Sequence, residues 1–289
     1  MKSGFVNIFG KPNAGKSTLL NALLGEKLAI VSSKVQTTRH RIKAFLTKKD
    51  EYQVIFSDTP GIIEPKYKLH EKMMSAVRGA LEDADLALLL VDVNDNLEEC
   101  NAIFSALRLK APAVIVINKI DAADEAKRKN VRDFFAAKPY CKEIIEISAL
   151  QKNNTDGLLA KVLSYLPEGE PFFDGDNLTD MPTRFFAGEL IREQIYKLYQ
   201  EEIPYHATVL VREFKEKLTL TKITADIIVQ RETQKGILLG ERGKMIKQLG
   251  TNARIEIEKF LGQKVFLELF VKVRPKWREN DVHLKEYGY

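Results

Sequence analysis

Short apolar segments alternate with amphipathic ones through the first half of the chain, which is the pattern of parallel strands joined by helices. The predicted strands cover 5–9, 52–56, 86–91, 113–117 and 143–147. The first predicted helix begins at residue 17, and the other four cover 69–83, 98–109, 125–137 and 157–166. This alternation predicts an α/β fold built on a doubly wound mixed sheet.

The alternation stops at 167–182, where proline, glycine and acidic residues predict an ordered, non-helical linker. The predicted elements beyond it are a helix at 184–200, strands at 206–214 and 222–231, a glycine turn at 240–243, a helix at 244–261 and a strand at 265–273. Two successive strands favour a hairpin, and the order as a whole predicts a smaller α+β unit. We therefore predict a domain at 1–170, a linker at 171–183 and a second domain at 184–289.

The turn after the first predicted strand matches the phosphate-binding pattern GxxxxGK[ST] and leads directly into a helix, as that motif requires. Backbone N–H groups of such a loop surround phosphates at the positive end of the helix, although an ordinary glycine turn is the alternative. We expect Lys16 to bridge the β- and γ-phosphates and the Ser17 hydroxyl to bind Mg²⁺. The predicted nucleotide contacts in this loop are Gly10, Lys11, Pro12, Asn13, Ala14, Gly15, Lys16, Ser17 and Thr18.

A second loop follows the strand at 52–56 and carries the sequence Asp58, Thr59, Pro60, Gly61, which alone is only a turn signal. In this position Asp58 is predicted to hold Mg²⁺ through a water molecule, and the Gly61 N–H is predicted to sense the γ-phosphate. The polar segment 34–41 is a candidate switch that supplies Thr37 or Thr38 to the metal, with Thr38 preferred. The predicted catalytic residues are Lys16, Thr38 and Gly61.

Residues 118–121 follow a buried strand and predict which base the site holds. Asp121 can accept hydrogen bonds from both the N1–H and the amino group of guanine, a donor pair that adenine lacks. Asn118 can reach the base and tie the loop together, and the Lys119 stem can lie along the base plane. Ser148, Ala149 and Leu150 follow the last strand of this half, so their backbone can reach the guanine oxygen. These residues complete the predicted GTP site.

Together these elements resemble the translation-factor-like branch of P-loop GTPases over roughly 1–167. An ATP-dependent kinase or transporter would share the phosphate loop but not Asp121. One position departs from Ras-like enzymes, in which a glutamine after the Asp-x-x-Gly glycine orients the attacking water. Ile62 stands there and cannot hydrogen-bond water. We therefore predict slow intrinsic GTP hydrolysis that depends on Mg²⁺, Lys16, the loop amides and a group from a partner.

The glycine turn at 240–243 has the GxxG form of the loop with which a KH domain clamps about four nucleotides of single-stranded nucleic acid. From 231 to 278 there are twelve Lys and Arg against five Asp and Glu, whereas the whole chain has a net charge of +5. A basic face is what phosphate binding requires, although a solvated helix can also be basic. The carboxylate of Glu241 disfavours phosphate, and Trp277 is predicted either to stack on bases or to pack inside the domain. The predicted RNA-binding residues are Gly240, Glu241, Arg242, Gly243, Lys244, Lys247, Arg274, Lys276 and Trp277.

Composition bounds the remaining possibilities. The 289 residues are 45% hydrophobic, which is enough for two cores. No apolar run is long enough to span a membrane, and the chain enters its first strand without a signal peptide, so a cytoplasmic protein is expected. The two cysteines and four histidines have no metal-ligand spacing, and neither a zinc site nor a disulfide framework is predicted.

The full chain resembles the Era family of bacterial GTPases, in which a P-loop domain precedes a KH domain of type II. The matching stretches are 10–18, 36–42, 58–61, 118–121, 191–193, 203–205, 240–243, 267–273, Trp277 and 284–289. The resemblance implies GTP or GDP and Mg²⁺ as cofactors, binding of the 3′ end of 16S rRNA, and a role in assembly of the small (30S) ribosomal subunit. It also implies a monomer, with peripheral association at the inner face of the cell membrane as an open question. The alternative is a signalling or membrane-associated GTPase with a protein effector, but Pro275 makes the basic tail a poor amphipathic helix.

Overall fold

The computed structural model describes residues 1–289, which fold as two compact units. Unit 1 comprises Met1–Pro65 and Lys72–Asp180, and unit 2 comprises Lys66–Glu71 and Met181–Tyr289. None of the helices is both long enough and apolar enough to cross a membrane.

The first half of the chain folds as alternating strands and helices. The strands are β1 (Lys2–Gly10), β2 (Ile42–Lys48), β3 (Tyr52–Asp58), β4 (Leu86–Asp92), β5 (Ala113–Asn118) and β6 (Cys141–Glu146). The helices are α1 (Lys16–Leu24), α2 (Lys68–Glu82), α3 (Leu97–Ala106), α4 (Glu125–Ala136) and α5 (Thr155–Tyr165). The sheet order is β2-β3-β1-β4-β5-β6, and only the β2–β3 pair is antiparallel.

The centre of this sheet is the core of unit 1. Every residue of β5 is buried, and so is β4 up to Val91, because an apolar strand with helices on both faces of its sheet has no solvent side. All five predicted strands and all five predicted helices of this half are present. The predicted mixed, doubly wound sheet is therefore confirmed.

The edge strand β2 was not predicted, and the linker explains why. An edge strand with one solvent face should alternate, but Phe45 is buried beside Ala44 because its ring stacks on Phe173 at 3.9 Å between centroids. The Phe45 N–H also donates to the Leu178 carbonyl at 2.8 Å. Residues 171–182 of the linker contain neither a helix nor a strand, and they cover an edge that would otherwise be open to pairing.

Unit 2 is a three-stranded sheet packed against helices. Its elements are α6 (Thr183–Leu198), α7 (Ile203–His206), β7 (Thr208–Glu216), β8 (Leu220–Val229), α8 (Glu232–Leu239), α9 (Lys244–Leu261), β9 (Lys264–Val273) and α10 (Asp281–Glu286). The order is β7-β8-β9, with β7 antiparallel and β9 parallel to β8. The KH fold of type II is confirmed. Helix α8 was not predicted, because Gly236 and the run 237–239 disfavour a helix in the sequence.

Candidate nucleotide and RNA sites

The phosphate loop lies between the end of β1 and the first turn of α1 and curls around the Lys16 side chain. Lys16 Nζ donates to the carbonyl oxygens of Gly10 at 3.1 Å and Lys11 at 2.8 Å. Burial lowers the pKa of Lys16 to about 8, and the nearby Asp58 carboxylate opposes that shift. Gly15 has a φ of 100°, and a Cβ there would overlap Asn118 Nδ2, so the loop requires glycine at this point. The loop thus holds one buried ammonium group against a ring of backbone.

Three oxygen-bearing side chains meet beside this lysine. Ser17 Oγ donates to Asp58 Oδ2 at 2.6 Å and lies 2.9 Å from Thr38 Oγ1, which itself donates to Asp58 Oδ2 at 3.2 Å. The buried Asp58 Oδ1 has no hydrogen-bond partner, and burial raises the pKa of this carboxyl group. Thr37 Oγ1 instead donates to the Lys34 carbonyl at 2.7 Å. An all-oxygen cluster with an unsatisfied carboxylate fits Mg²⁺, and Thr38 rather than Thr37 belongs to it.

A cavity of about 320 Å³ opens next to the phosphate loop. Pro12, Lys16, Thr38, Gly61 and Lys119 line it, as the sequence led us to expect. The other predicted residues that line it are Asn13, Gly15, Ser17, Thr18 and Thr37, together with Gln36 of the candidate switch. Sequence reasoning missed Ile30, Val31, Ser32, Ser33, Ile63 and Met73, because apolar and small side chains carry no chemical signature. The volume falls in the range of small-molecule sites.

The segment that covers this cavity is tied to the phosphate loop. Asn13 Nδ2 donates to the Ser33 carbonyl at 2.7 Å, and the Ile62 N–H donates to the Gly10 carbonyl at 3.2 Å. A Cβ on Gly61 would come within 2.8 Å of the Pro12 ring and backbone. The loop after β3 therefore contacts the phosphate loop through backbone, and position 62 contributes no side-chain hydrogen bond.

The Asn-Lys-x-Asp segment follows β5 and joins two other loops. The buried Asn118 side chain donates through Nδ2 to the Ala14 carbonyl and accepts through Oδ1 from the Ala149 N–H, both at 2.9 Å. Lys119 Nζ donates to the Asn13 carbonyl at 2.9 Å and to Asp92 Oδ2 at 2.6 Å. Asp121 lies exposed in a 3₁₀ turn. Asp92 was missed by sequence reasoning, because an acidic residue at a strand end is common and unspecific.

The remaining predicted residues of the nucleotide site are also close to these loops. Ser148 is buried and Leu150 is exposed, and Ala149 between them contacts Asn118. Thr59 is buried, with its hydroxyl donating to the Ile8 carbonyl at 2.6 Å, and Pro60 is buried beside it. The structure thus brings four of the five sequence elements together at the carboxyl ends of β1, β3, β5 and β6, and Thr38 of the segment 34–41 joins them from the loop before β2.

The GxxG loop of unit 2 connects α8 to α9. Gly243 has a φ of 76°, and a Cβ placed there would meet nothing within 4 Å. Glu241 and Arg242 are exposed, as are Lys244 and Lys247 in the first turn of α9. Arg274 and Lys276 are exposed after the end of β9. The backbone of this loop is therefore accessible at Gly243, and the exposed ammonium groups of Lys244 and Lys247 follow it in the sequence.

Trp277 was predicted to bind RNA, and the structure contradicts this prediction. The side chain is 0% exposed, and its Nε1 donates to the His206 carbonyl at 3.0 Å. Its ring packs against Tyr287 and Tyr289, with ring centroids 5.8 and 6.3 Å away. A ring enclosed in this way has no free face for a base, so the alternative of internal packing is correct.

This geometry defines a P-loop GTPase followed by a KH domain. A family model described as 50S ribosome-binding GTPase matches residues 5–119, and a KH domain model matches residues 202–278. GTPase Era of Ruminiclostridium cellulolyticum is 43% identical over 100% of this chain and 97% of its own length. GTPase Era of Geotalea uraniireducens is 44% identical, with 100% and 98% covered.

Two solved structures agree with these matches. A point variant of Era from Aquifex aeolicus bound to GDP·AlF₄⁻ has a TM-score of 0.96 at 41% identity, covering 100% of this chain and 99% of its own. Era in complex with MgGDPNP and nucleotides 1506–1542 of 16S ribosomal RNA gives the same score, identity and coverage. The chain therefore belongs to the Era family of GTPases, and the resemblance seen in the sequence is confirmed.

We expect Asn118→Ala to lower the thermal stability of the nucleotide-free protein, because the Ala14 carbonyl and the Ala149 N–H would each lose a buried partner. An unsatisfied buried group costs roughly 1–3 kcal/mol. Scanning calorimetry measures the loss, with Asn130→Ala on the exposed face of α4 as the matched control. Equal unfolding temperatures for the two variants would contradict this role of Asn118.

Proposed function

We propose that this protein is a slowly hydrolysing GTPase switch that binds the 3′ end of 16S rRNA and assists assembly of the small ribosomal subunit. The observation that carries the proposal is the presence, on one chain, of the phosphate and Asn118–Asp121 loops around one cavity and of an exposed GxxG loop with basic neighbours. The rRNA segment in the relative's complex supports the choice of RNA. The family model that names the 50S ribosome matches only 5–119, whereas RNA choice belongs to the KH domain.

The phosphate loop binds the phosphates of GTP. Lys16 exchanges its two carbonyl partners for phosphate oxygens, and the loop amides donate to the same group. Ser17 and Thr38 would hold Mg²⁺ and Asp58 would hold it through water, consistent with the unsatisfied Asp58 oxygen. When bound, Mg²⁺ supplies neutralisation of charge on the β- and γ-phosphates.

Hydrolysis is slow because position 62, where Ras-like enzymes have the water-orienting glutamine, holds an isoleucine. Ile62 is apolar, and the cavity wall beside it continues with Ile63. The Gly61 N–H is the group that follows the γ-phosphate, so the loop after β3 reorganises when the phosphate leaves. This loop passes so close to Pro12 that only glycine fits at position 61. A polar group supplied by a bound partner accelerates the reaction.

Guanine is selected by Asp121, with the Lys119 stem along the base and the backbone of 148–150 beside the base oxygen. Lys119 is already fixed by Asp92 and by the Asn13 carbonyl before nucleotide arrives. A side chain that is held in place in the free protein loses less conformational freedom on binding. This arrangement favours tight binding of both GTP and GDP.

Asp121→Asn is expected to weaken GTP and GDP binding about tenfold to a hundredfold, because the amide keeps only one of the two acceptors and places an NH2 group opposite a guanine donor. Xanthosine nucleotides should gain affinity, since xanthine offers an acceptor where guanine offers an amino group. Competition binding measures both changes, with Asp133→Asn on exposed α4 as the control. An unchanged preference for GTP over XTP would overturn the guanine assignment.

RNA binds along the GxxG loop, where the open backbone at Gly243 lets a phosphate approach. Arg242, Lys244 and Lys247 supply the positive charge, and Arg274 and Lys276 extend it beyond β9. Glu241 is exposed, so solvent screens its repulsion of phosphate. An effector-binding adaptor would have no need of this loop.

Gly243→Asp should reduce affinity for the 1506–1542 segment about tenfold or more while leaving GDP affinity unchanged, because it adds a carboxylate where a phosphate must approach. Aspartate tolerates the left-handed backbone better than most residues. Gly25→Asp is the matched control: its φ of 74° and its open surroundings are alike, but it lies in unit 1. Filter binding that ranks the two variants equally would refute the RNA-binding role of the GxxG loop.

We also propose that the protein acts as a monomer in the cytoplasm, where its rRNA substrate resides. A peripheral contact with the inner face of the cell membrane remains a prediction. Sedimentation of the protein with and without vesicles of anionic lipid tests both statements.

A further inference from the structure

Two phenylalanine side chains stand exposed on one face of the edge strand β9. Phe266 is 49% and Phe270 is 50% exposed, and the two lie four residues apart. Side chains at even positions of a strand share a face, so the rings are about 13 Å apart on the same surface. Each ring thus has about half of its surface accessible to solvent and can take part in stacking.

The opposite face of the same strand belongs to the KH core. Val265 is buried, and the Leu269 side chain lies 3.5 Å from the Cβ position of Gly250 in α9, the helix that begins at the GxxG loop. β9 ends the sheet, so its outer edge has no strand partner. Arg274 continues from β9, with its N–H donating to the Val229 carbonyl at 2.8 Å. The face that carries the two rings is therefore reached from solvent at an open edge of the sheet.

The surroundings of the two rings are basic at their rim. The outer face carries five cations against three carboxylates; they are Arg212, Lys215, Lys222, Lys264 and Lys272, and Glu213, Asp226 and Glu268. The carboxylates are paired: Asp226, whose side chain is only 4% exposed, binds Lys272 at 2.7 Å and Arg212 at 3.0 Å. Glu268 lies between the two rings along β9, is 40% exposed and is 3.7 Å from Lys222. Asp226 is the register partner of Phe270 on the neighbouring strand, and its Oδ1 has no hydrogen-bond partner. The most exposed charged groups of this face are Lys264, Lys215 and Arg212, whose side chains are 80%, 67% and 54% exposed. Together with the aromatic rings they suit phosphates and bases.

We propose that this outer face, defined by Phe266 and Phe270 with its rim of lysines, is a second RNA-binding surface that stacks unpaired bases. This proposal rests on the proposed function. The GxxG loop clamps about four nucleotides, whereas the relative's complex contains nucleotides 1506–1542, so most of that RNA lies beyond the loop. Aromatic side chains on a sheet stack bases without regard to sequence, and lysines follow the backbone. The rings are too far apart to hold adjacent bases, so the RNA is extended across β9.

The test measures affinity of the full chain for two RNAs, the 1506–1542 segment and an oligonucleotide of about four nucleotides, the length that the GxxG loop clamps. Phe266→Ala with Phe270→Ala should weaken the long RNA about fivefold or more per ring and leave the short one unchanged. Gly243→Asp should weaken both RNAs. Phe→Leu at the same positions keeps the apolar bulk and should lose the long RNA equally, which separates stacking from folding.

The outcomes are distinct. Unchanged long-RNA affinity in the double variants, with a normal wild-type affinity, overturns the second surface alone. No binding of either RNA by the wild type overturns the proposed function as well. A change in sedimentation coefficient without a change in RNA affinity would assign the face to a second copy of this chain and likewise overturn the RNA proposal.

A fluorescent reporter provides an independent readout. Trp277 is the only tryptophan and is buried, so Phe270→Trp adds a single exposed indole. The long RNA should quench that added fluorescence by stacking. Leu218→Trp at the fully exposed tip of the β7–β8 hairpin is the control and should not respond. Equal responses at the two positions would contradict the proposal.

Discussion

The arrangement of unit 1 depends on parallel pairing of its central strands. Parallel strands end at the same edge of a sheet, so the loops that follow β1, β3, β5 and β6 lie close to one another. Asn118 turns this proximity into a fixed site, because its one side chain satisfies a carbonyl of the phosphate loop and an N–H of the loop after β6. Its burial makes both hydrogen bonds costly to lose. Nucleotide recognition and loop structure therefore share the same residue.

The phosphate loop is further held by charged side chains that are not themselves nucleotide ligands. Asp92 holds Lys119, and Glu99 holds Lys11 at 2.6 Å. Partly exposed pairs like these contribute little to the free energy of unfolding. What they contribute is position, since each lysine is kept near the loop that uses it. The acidic segment 92–99 thus acts as a support for the base-recognition and phosphate motifs together.

The sequence predicted the parts of the site whose chemistry is local. A phosphate loop, an Asp-x-x-Gly loop and an Asn-Lys-x-Asp segment have fixed spacing and fixed strand contexts, so each could be placed before any contact was known. The parts that tertiary packing decides could not be placed. β2 lost its alternation because the linker buries Phe45, α8 contains a glycine, and Trp277 has neighbours contributed by the C-terminus. Ser33 and Asp92 belong to the site through contacts between segments that are distant in the sequence, and such contacts cannot be predicted from a sequence pattern.

The linker has a consequence for how the GTPase unit behaves by itself. Gln53 holds it by accepting from the Phe172 and Phe173 N–H groups and donating to the Phe173 carbonyl at 2.8 Å. A fragment that ended at residue 170 would remove this cover and expose the Phe45 ring together with the open edge of β2. Bare apolar edges pair with one another and promote aggregation. Retaining residues up to Asp180 would keep that edge closed, so solubility of the isolated domain depends on ten residues that contribute nothing to nucleotide binding.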